Sequence, residues 1–291
     1  MSTHAPIPLR KMNGLGNDFA VLDLRAHPRR FTAREVRRIA GREHGVGCDQ
    51  MIAIEASPAG ADAFMRIWNH DGGEVEACGN AMRCVAAVLS GELGRATLTI
   101  ETSAGVLGAT LNGDGTVTVD MGAPRLAWDE IPLAEEFHDT RTIELQVGPI
   151  DDPVLHSPSV VNIGNPHCIF WVDDIGAHDL DRIGPVLENH PLFPERANIS
   201  LAHITSPATI TLKTWERGVG LTRACGTAAC AVSVAAARKG LTGRKVTVTL
   251  PGGPLQMEWR ESDGHILMTG PSELEYEATL DPALIAEEPV A

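Results

Sequence analysis

The chain has 291 residues, of which 43% are hydrophobic and 21% charged, a composition typical of a globular protein long enough for two domains. Its formal net charge of -14 opposes binding to nucleic acid or to an anionic membrane, because a phosphate surface would repel it. Met1–Arg10 lacks the apolar segment of a secretory signal, and the apolar runs elsewhere are too short to span a bilayer. These features predict a cytoplasmic enzyme or binding protein.

The predicted elements follow the same order in both halves of the chain. In the first half, the apolar run Ala81–Leu89 has almost no polar residue on any face and predicts a buried helix. Alternating β-branched residues then predict strands at Ala96–Glu101 and Thr116–Asp120. The second half predicts a buried helix and two strands in turn, at Ala228–Ala237, Lys245–Leu250 and Gly264–Met268. Each half is therefore expected to form a curved sheet around one central helix.

An internal duplication relates the two halves. Trp68 and Trp215 each stand ten residues before the cysteine of an Ala-Cys-Gly sequence, and those cysteines are Cys78 and Cys225. Further matched positions extend the duplication over most of both halves. The sequence thus predicts two domains, 1–127 and 128–271, while residues 125–161 have no partner in the duplication.

Cys78 and Cys225 differ from the other four cysteines in their position. The six cysteines do not indicate a disulfide framework in a chain without a secretion signal, and none has the spacing of a zinc site. Cys84 and Cys230 lie within apolar runs and are expected in the core. Cys78 and Cys225 precede the predicted helices, where the helix dipole can lower a thiol pKa from about 8.5 to roughly 3.5–7.5. The same backbone N–H groups can bind a carboxylate.

Two such thiols suit the inversion of an amino-acid α-carbon. A thiolate on one face can remove the α-proton while a thiol on the other face returns one. The sequence shows no Gly-rich nucleotide loop in a suitable context and no convincing pyridoxal phosphate lysine. It predicts a cofactor-free two-base racemase or epimerase, unless both cysteines only fill tight turns.

Five motifs resemble those of the diaminopimelate epimerase family, in family order from about residue 11 to 271. They are Lys11–Phe19, Gly45–Gln50, Glu74–Asn80, Gly164–His167 and Trp215–Thr227. The resemblance implies an α+β fold of two pseudo-symmetric domains, each a curved mixed β-sheet or barrel around a central helix, with residues 272–291 completing the first domain. It also implies a cytoplasmic homodimer that converts LL-2,6-diaminopimelate to the meso form, for lysine and peptidoglycan precursor synthesis, without metal or cofactor.

The resemblance also assigns roles to residues. Cys78 and Cys225 would be the acid/base pair, and His167 and Glu216 would tune the two thiols. Arg217 would bind the distal carboxylate of the substrate with its planar guanidinium group. The full set of expected substrate-binding residues is Asn17, Gln50, Asn69, Gly79, Asn80, Asn165, Asn198, Glu216, Arg217, Gly226 and Thr227.

Two alternatives stay open. A proline or hydroxyproline racemase-like enzyme would also use a pair of cysteines as acid and base. Its ring substrate, however, has no distal amino acid for Glu216 and Arg217 to bind. A non-enzymatic redox switch or ligand-binding protein would instead join Cys78 to Cys225 in a reversible disulfide.

The chain also departs from many family members at Asn13, Leu221 and Ala228, where His, Glu and Gly are common. Leu221 removes a carboxylate near the second thiol.

Overall fold

A computed structural model describes residues 6–76 and 78–286. The chain divides into two units, the first made of Met1–Val119 with Gly270–Ala291 and the second of Asp120–Thr269. The domains predicted from the sequence, 1–127 with 272–291 and 128–271, stay a prediction, and their residues 1–5 and 287–291 lie outside the described part. None of the helices in that part is both long enough and apolar enough for a bilayer crossing.

Nineteen strands and four α-helices make up the regular structure of the described residues. The helices are α1 (Ala33–Ala40), α2 (Gly79–Leu93), α3 (Leu180–Glu188) and α4 (Gly226–Arg238). The strands of the first unit and its border are β1 (Pro8–Gly14), β2 (Asn17–Asp23), β3 (Gln50–Glu55), β4 (Ala63–Asn69), β5 (Glu74–Val75), β6 (Thr97–Thr102), β7 (Gly105–Leu111) and β8 (Val117–Asp120). Those that follow are β9 (Gln146–Val147), β10 (Leu155–His156), β11 (Ser159–Asn162), β12 (Pro166–Trp171), β13 (Asn198–Ser206), β14 (Thr209–Glu216), β15 (Gly220–Leu221), β16 (Lys245–Leu250), β17 (Gly253–Trp259), β18 (Ile266–Gly270) and β19 (Glu273–Thr279).

The strands of the two units pair in the same order. In the first unit β1 is antiparallel to β2, β2 parallel to β3, β3 antiparallel to β4 and β4 parallel to β6. In the second unit β11 is antiparallel to β12, β12 parallel to β13, β13 antiparallel to β14 and β14 parallel to β16. Each series then continues through two antiparallel pairs. This mixed pairing confirms the predicted α+β class.

One nearly all-buried helix lies at the centre of each unit. In α4 every residue from Ala228 to Ala236 is buried, and the helix contacts β11, β12, β16 and β17. In α2 the residues from Gly79 to Ala86 are buried against β1, β6 and β7. Small side chains allow strands to approach such a helix closely on several sides. Both helices predicted from the sequence are confirmed, and each extends beyond the predicted apolar run.

Two segments lie outside the duplicated pattern. In the first unit, β19 adds to the sheet by antiparallel pairing with β1. In the second unit, the stretch before β11 carries the small β9–β10 sheet, and its apolar side chains form a core with α3. The residues that share this core include Ile131, Leu133, Ile143, Leu145, Leu180, Leu187 and Phe193. The core places α3 against the strands that carry the second half of the candidate site.

Candidate active site

Cys78 is the residue that precedes the first turn of α2. Its backbone is extended, with φ -147° and ψ 111°, and its thiol makes no capping hydrogen bond to the helix. Gly79 and Asn80 begin the helix and are buried, whereas Cys78 is half-buried. The first N–H groups of a helix have no carbonyl partner within it, and the positive end of the dipole adds to their field. This end of α2 therefore combines a thiol with a local preference for a negative group.

The side chains of Asn17 and Asn80 meet beside this helix end. Asn80 Nδ2 donates to Asn17 Oδ1 at 3.3 Å, and Asn17 Nδ2 donates to Asp49 Oδ2 at 3.0 Å. Asn17 follows a two-residue turn, Leu15 and Gly16, in which both residues have positive φ, 61° and 83°. Leucine in this region is strained and glycine is not. The turn and Asp49 together hold Asn17 in one orientation next to α2.

Gln50 and Asn69 form a second pair at the same end of these neighbouring strands. They face each other in the β3–β4 register, and Gln50 Nε2 donates to Asn69 Oδ1 at 2.9 Å. Gln50 Oε1 is buried and has no hydrogen-bond partner among the described residues. A buried amide oxygen is a ready acceptor for an ammonium group. The structure thus brings the predicted residues of the first unit together in two bonded pairs.

Cys225 holds the same position at the start of α4 and is buried. Its Sγ lies 3.5 Å from the Thr227 hydroxyl. Burial raises the pKa of the Cys225 thiol well above its ordinary value, and the Glu216 carboxylate raises it further. The Thr227 hydroxyl and the Ala228 N–H lower it by less. The pKa of Cys225 is thus raised where the sequence suggested a lowered one, because the loss of solvent outweighs the hydrogen bonds from Thr227 and Ala228.

Arg217 lies in the turn that leaves β14, directly after Glu216. Its backbone N–H donates to Asn198 Oδ1 at 2.9 Å, and its Nη1 donates to the carbonyl of Glu195 at 2.8 Å. Asn198 Nδ2 in turn donates to the Pro166 carbonyl at 3.0 Å. Both polar ends of the Asn198 amide are thus engaged in holding this turn. Asn198 supports Arg217 through the backbone, a contact that its sequence neighbours do not suggest.

His167 lies fully buried in β12, and its Nε2 is 2.8 Å from Asn165 Oδ1. Burial lowers the pKa of His167 to about 3, and the charge of Arg217 contributes to the same effect. The imidazole is therefore neutral near pH 7, with Nε2–H donating to Asn165. Nδ1 then carries a lone pair, and no described residue hydrogen-bonds to it. A neutral ring of this kind can accept a hydrogen bond from a donor such as a thiol.

Glu188, which was not predicted from the sequence, accepts three hydrogen bonds from residues of the second unit. Its Oε2 accepts from Trp215 Nε1 at 2.7 Å, while its Oε1 accepts from the backbone N–H of Gly218 at 2.9 Å and from Arg196 Nη1 at 3.1 Å. Glu188 ends α3, where the helix dipole disfavours a carboxylate. That unfavourable placement is a weak signal, and it does not indicate the donors that Glu188 binds.

Comparison with known proteins gives a consistent family match. The profile described as "Diaminopimelate epimerase" matches residues 9–127 and 159–275. The diaminopimelate epimerase of Brucella anthropi is 58% identical over 275 residues, which cover 94% of this chain and 91% of that protein. The diaminopimelate epimerase of Nitrobacter hamburgensis is 57% identical over 288 residues, covering 98% and 99% of the two chains.

Solved structures with low sequence identity share the fold. A phenazine biosynthesis protein of the PhzF family from Bacillus anthracis superposes with a TM-score of 0.67 at 18% identity, covering 95% of this chain and 99% of that one. A hydroxyproline epimerase from Agrobacterium vitis with bound trans-4-OH-L-proline gives 0.67 at 14% identity, with 97% and 95% covered. At such identities the likeness concerns the fold alone.

Proposed function

Since this chain belongs to the diaminopimelate epimerase family, whose members are isomerases of lysine biosynthesis, we propose that it converts LL-2,6-diaminopimelate to the meso form. Cys78 and Cys225 would act as base and acid on one α-carbon. The reaction would need no cofactor, because the helix ends supply the electrostatic stabilisation that a cofactor provides elsewhere.

The observation that carries this proposal is the repeated placement of a cysteine before a buried central helix. Cys78 and Cys225 precede α2 and α4, which occupy the same place in two units of equal strand order. Each helix end presents backbone N–H groups, those of Gly79 and Asn80 in one unit and of Gly226 and Thr227 in the other. Those groups would bind the carboxylate at the reacting end and stabilise the negative charge that develops when the α-proton leaves.

The two thiols would act as one acid and one base, and they would exchange these roles in the reverse direction. Burial and the Glu216 carboxylate raise the pKa of Cys225, so it would serve as the acid that delivers a proton. Cys78 is half-buried and would serve as the base for the epimer whose α-proton faces it. In the reverse direction the thiolate left on Cys225 removes the proton and Cys78 returns one. Glu216, whose carboxylate raises the pKa of Cys225, would tune that thiol, and His167 would take part as a neutral ring.

The choice of substrate would come from the turn after β14. The first unit has no such charged pair, since Asn69 and His70 stand one and two residues after Trp68, where Glu216 and Arg217 follow Trp215. A substrate with an amino acid at each end needs a cation for its distal carboxylate and an acceptor for its distal ammonium. Arg217 and Glu216, which are adjacent in the chain, carry those two charges. Asn165 and Asn198, with Asn17, Gln50 and Asn69 from the first unit, would complete the polar contacts.

The second candidate is a proline or hydroxyproline epimerase, which is favoured only by the shared fold of the Agrobacterium vitis enzyme. A ring substrate would leave the charges of Glu216 and Arg217 without partners. A redox switch that joins Cys78 to Cys225 would also use the two cysteines, but would not turn over any amino acid. A homodimeric assembly and a cytoplasmic location remain part of the proposal.

The proposal is tested by offering LL-diaminopimelate, L-proline and trans-4-hydroxy-L-proline to the purified protein and separating stereoisomers by chiral chromatography. We expect inversion of diaminopimelate alone. Arg217→Met should lower kcat/KM for it by about 10²- to 10⁴-fold, because two charge-assisted hydrogen bonds are lost. Cys168→Ala, which removes a thiol buried in the core around α3, serves as the control and should retain activity. Inversion of proline, or full activity of Arg217→Met, would refute the assignment.

A further inference from the structure

The turn that follows β14 carries Glu216 and Arg217, and we call it the substrate-reading turn. The carboxylate of Glu188 anchors this turn on both sides. One of its donors, Trp215 Nε1, belongs to the residue before Glu216, and another, the Gly218 N–H, belongs to the residue after Arg217. Glu216 and Arg217 thus stand between two anchor points on a single buried side chain. A turn anchored at both ends keeps one backbone conformation and so presents its side chains in one geometry.

The third donor connects the same carboxylate to the other support of Arg217. Arg196 Nη1 donates to Glu188 Oε1, and Arg196 has a strained positive φ of 60° two residues before Asn198. Asn198 then accepts the backbone N–H of Arg217. Non-glycine residues hold this backbone conformation only where their surroundings fix it. Glu188 therefore acts on the turn directly and also through the loop that leads to Asn198.

We propose that Glu188 is a positioning residue for substrate specificity, fixing Arg217 and Glu216 in the geometry that reads the distal amino acid of the substrate. This inference rests on the proposed function, since it assumes that Arg217 binds the distal carboxylate. Glu188 itself would not touch the substrate, because its two oxygens are already engaged by three protein donors within 3.1 Å.

The geometry requires a carboxylate rather than an amide at this position. Donors approach both oxygens, one at Oε2 and two at Oε1. Glutamine has only one oxygen, so its NH₂ group would face either the Trp215 N–H or the pair formed by the Gly218 N–H and Arg196. One anchor of the turn is lost in either orientation. Glu188→Gln is nearly the same size and so removes the anchoring with little change in packing.

The test compares steady-state kinetics of Glu188→Gln with the parent enzyme on LL-diaminopimelate. We expect kcat/KM to fall about 10- to 100-fold, mostly through a raised KM, as lost distal binding predicts. Glu101→Gln is the matched control, since Glu101 also accepts a hydroxyl and a backbone N–H, from Ser57 and Ala59, but does so in the first unit. It should leave kcat/KM within about twofold of the parent.

A double-mutant cycle with Arg217→Met separates positioning from a merely structural role. If Glu188 acts through Arg217, then Glu188→Gln should change kcat/KM by less than about threefold when Arg217 is already Met. An equal loss in both backgrounds would overturn the inference. So would parent-like kinetics of Glu188→Gln alongside a large loss in Arg217→Met, a result that would leave the proposed function standing. Parent-like kinetics of Arg217→Met would instead refute the proposed function.

A second variant keeps the test valid if Glu188→Gln folds poorly. Trp215→Phe removes the Nε1 donor and part of the ring but keeps an aromatic group against α3, so it should raise KM by about threefold or more. A KM equal to that of the parent for Trp215→Phe, with the protein folded by circular dichroism, would contradict the inference. Glu188→Asp retains the charge on a shorter side chain, and should recover part of the activity that Glu188→Gln loses.

Discussion

Gly184 of α3 has no room for a side chain, and Gly184→Ala should therefore disturb the substrate-reading turn. A Cβ at this position would stand 2.5 Å from Trp215 Cγ and 2.6 Å from its Cδ2, about 1 Å closer than carbon atoms pack. The indole cannot move away freely, because its Nε1 is bonded to Glu188 on the same helix. Either the helix or the turn that follows Trp215 must shift.

The expected magnitude follows from two opposing effects. Overpacking of this kind costs about 1–3 kcal/mol, while alanine gains up to about 1 kcal/mol over glycine in a helix. Pro185 follows directly and disfavours helical backbone before it for any residue with a Cβ, which reduces that gain. We expect the free energy of unfolding to fall by about 1–2 kcal/mol and kcat/KM to fall at least about tenfold.

Urea unfolding monitored by fluorescence, with steady-state kinetics in parallel, measures both quantities. Gly91→Ala is the matched control, because Gly91 lies within α2 and a Cβ there meets nothing within 4 Å. That variant should be more stable by about 0.5–1 kcal/mol with unchanged kinetics. A Gly184→Ala protein as stable and as active as the Gly91→Ala protein would refute the packing argument.

Three further predictions concern charge and metal. Glu216→Gln should move alkylation of Cys225 by iodoacetamide to lower pH, because burial raises this thiol's pKa and the Glu216 charge raises it further. Asp18→Asn should lower the free energy of unfolding by about 2–3 kcal/mol at pH 7. Burial alone would raise the pKa of Asp18, but hydrogen bonds from Arg42 and Lys11 reverse that effect and hold the pKa below its usual range. The stabilisation is thus present above the unfolded pKa of about 4 and is lost as the pH falls further. Dialysis against EDTA should leave epimerase activity unchanged.

Each of these predictions has a clear contrary outcome. Glu258→Gln, which removes an ion pair with Lys245, should not shift the alkylation of Cys225, and an equal shift in both variants would exclude a specific effect of Glu216. For Asp18→Asn, urea unfolding at pH 7 and pH 3 should show the difference from the parent shrinking in acid. A difference that stays constant would show that the charge of Asp18 is not its cause. Loss of activity after EDTA treatment, restored by metal, would contradict a cofactor-free reaction.

The sequence was sufficient where the signal was local or repeated. The apolar runs after Cys78 and Cys225 identified both central helices and put each cysteine at a helix start, as observed. The duplication predicted two sheets of like design, because matched residues at a fixed offset require matched elements. The small β9–β10 sheet, in contrast, has strands of two residues each, too short to give a period.

The sequence was insufficient where residues meet only in the folded chain. The raised pKa of Cys225 comes mainly from its burial, which its position before a helix does not reveal. Glu188 acquires its importance from donors contributed by Arg196, Trp215 and Gly218, which come from two separate loops and a strand. Nothing in the residues adjacent to Glu188 indicates those contacts. Supporting groups of this kind need the tertiary structure to be recognised.

The fate of the α-proton tests the two-thiol account most directly. LL-diaminopimelate is allowed to react in deuterated water to a small extent, and deuterium is then measured in the meso product and in the remaining substrate. If one thiol removes the proton and another delivers one, the first product should carry a solvent deuteron at the inverted carbon while the remaining substrate keeps protium. Product that retains the original proton, or inversion that persists in Cys78→Ala or in Cys225→Ala, would contradict the account.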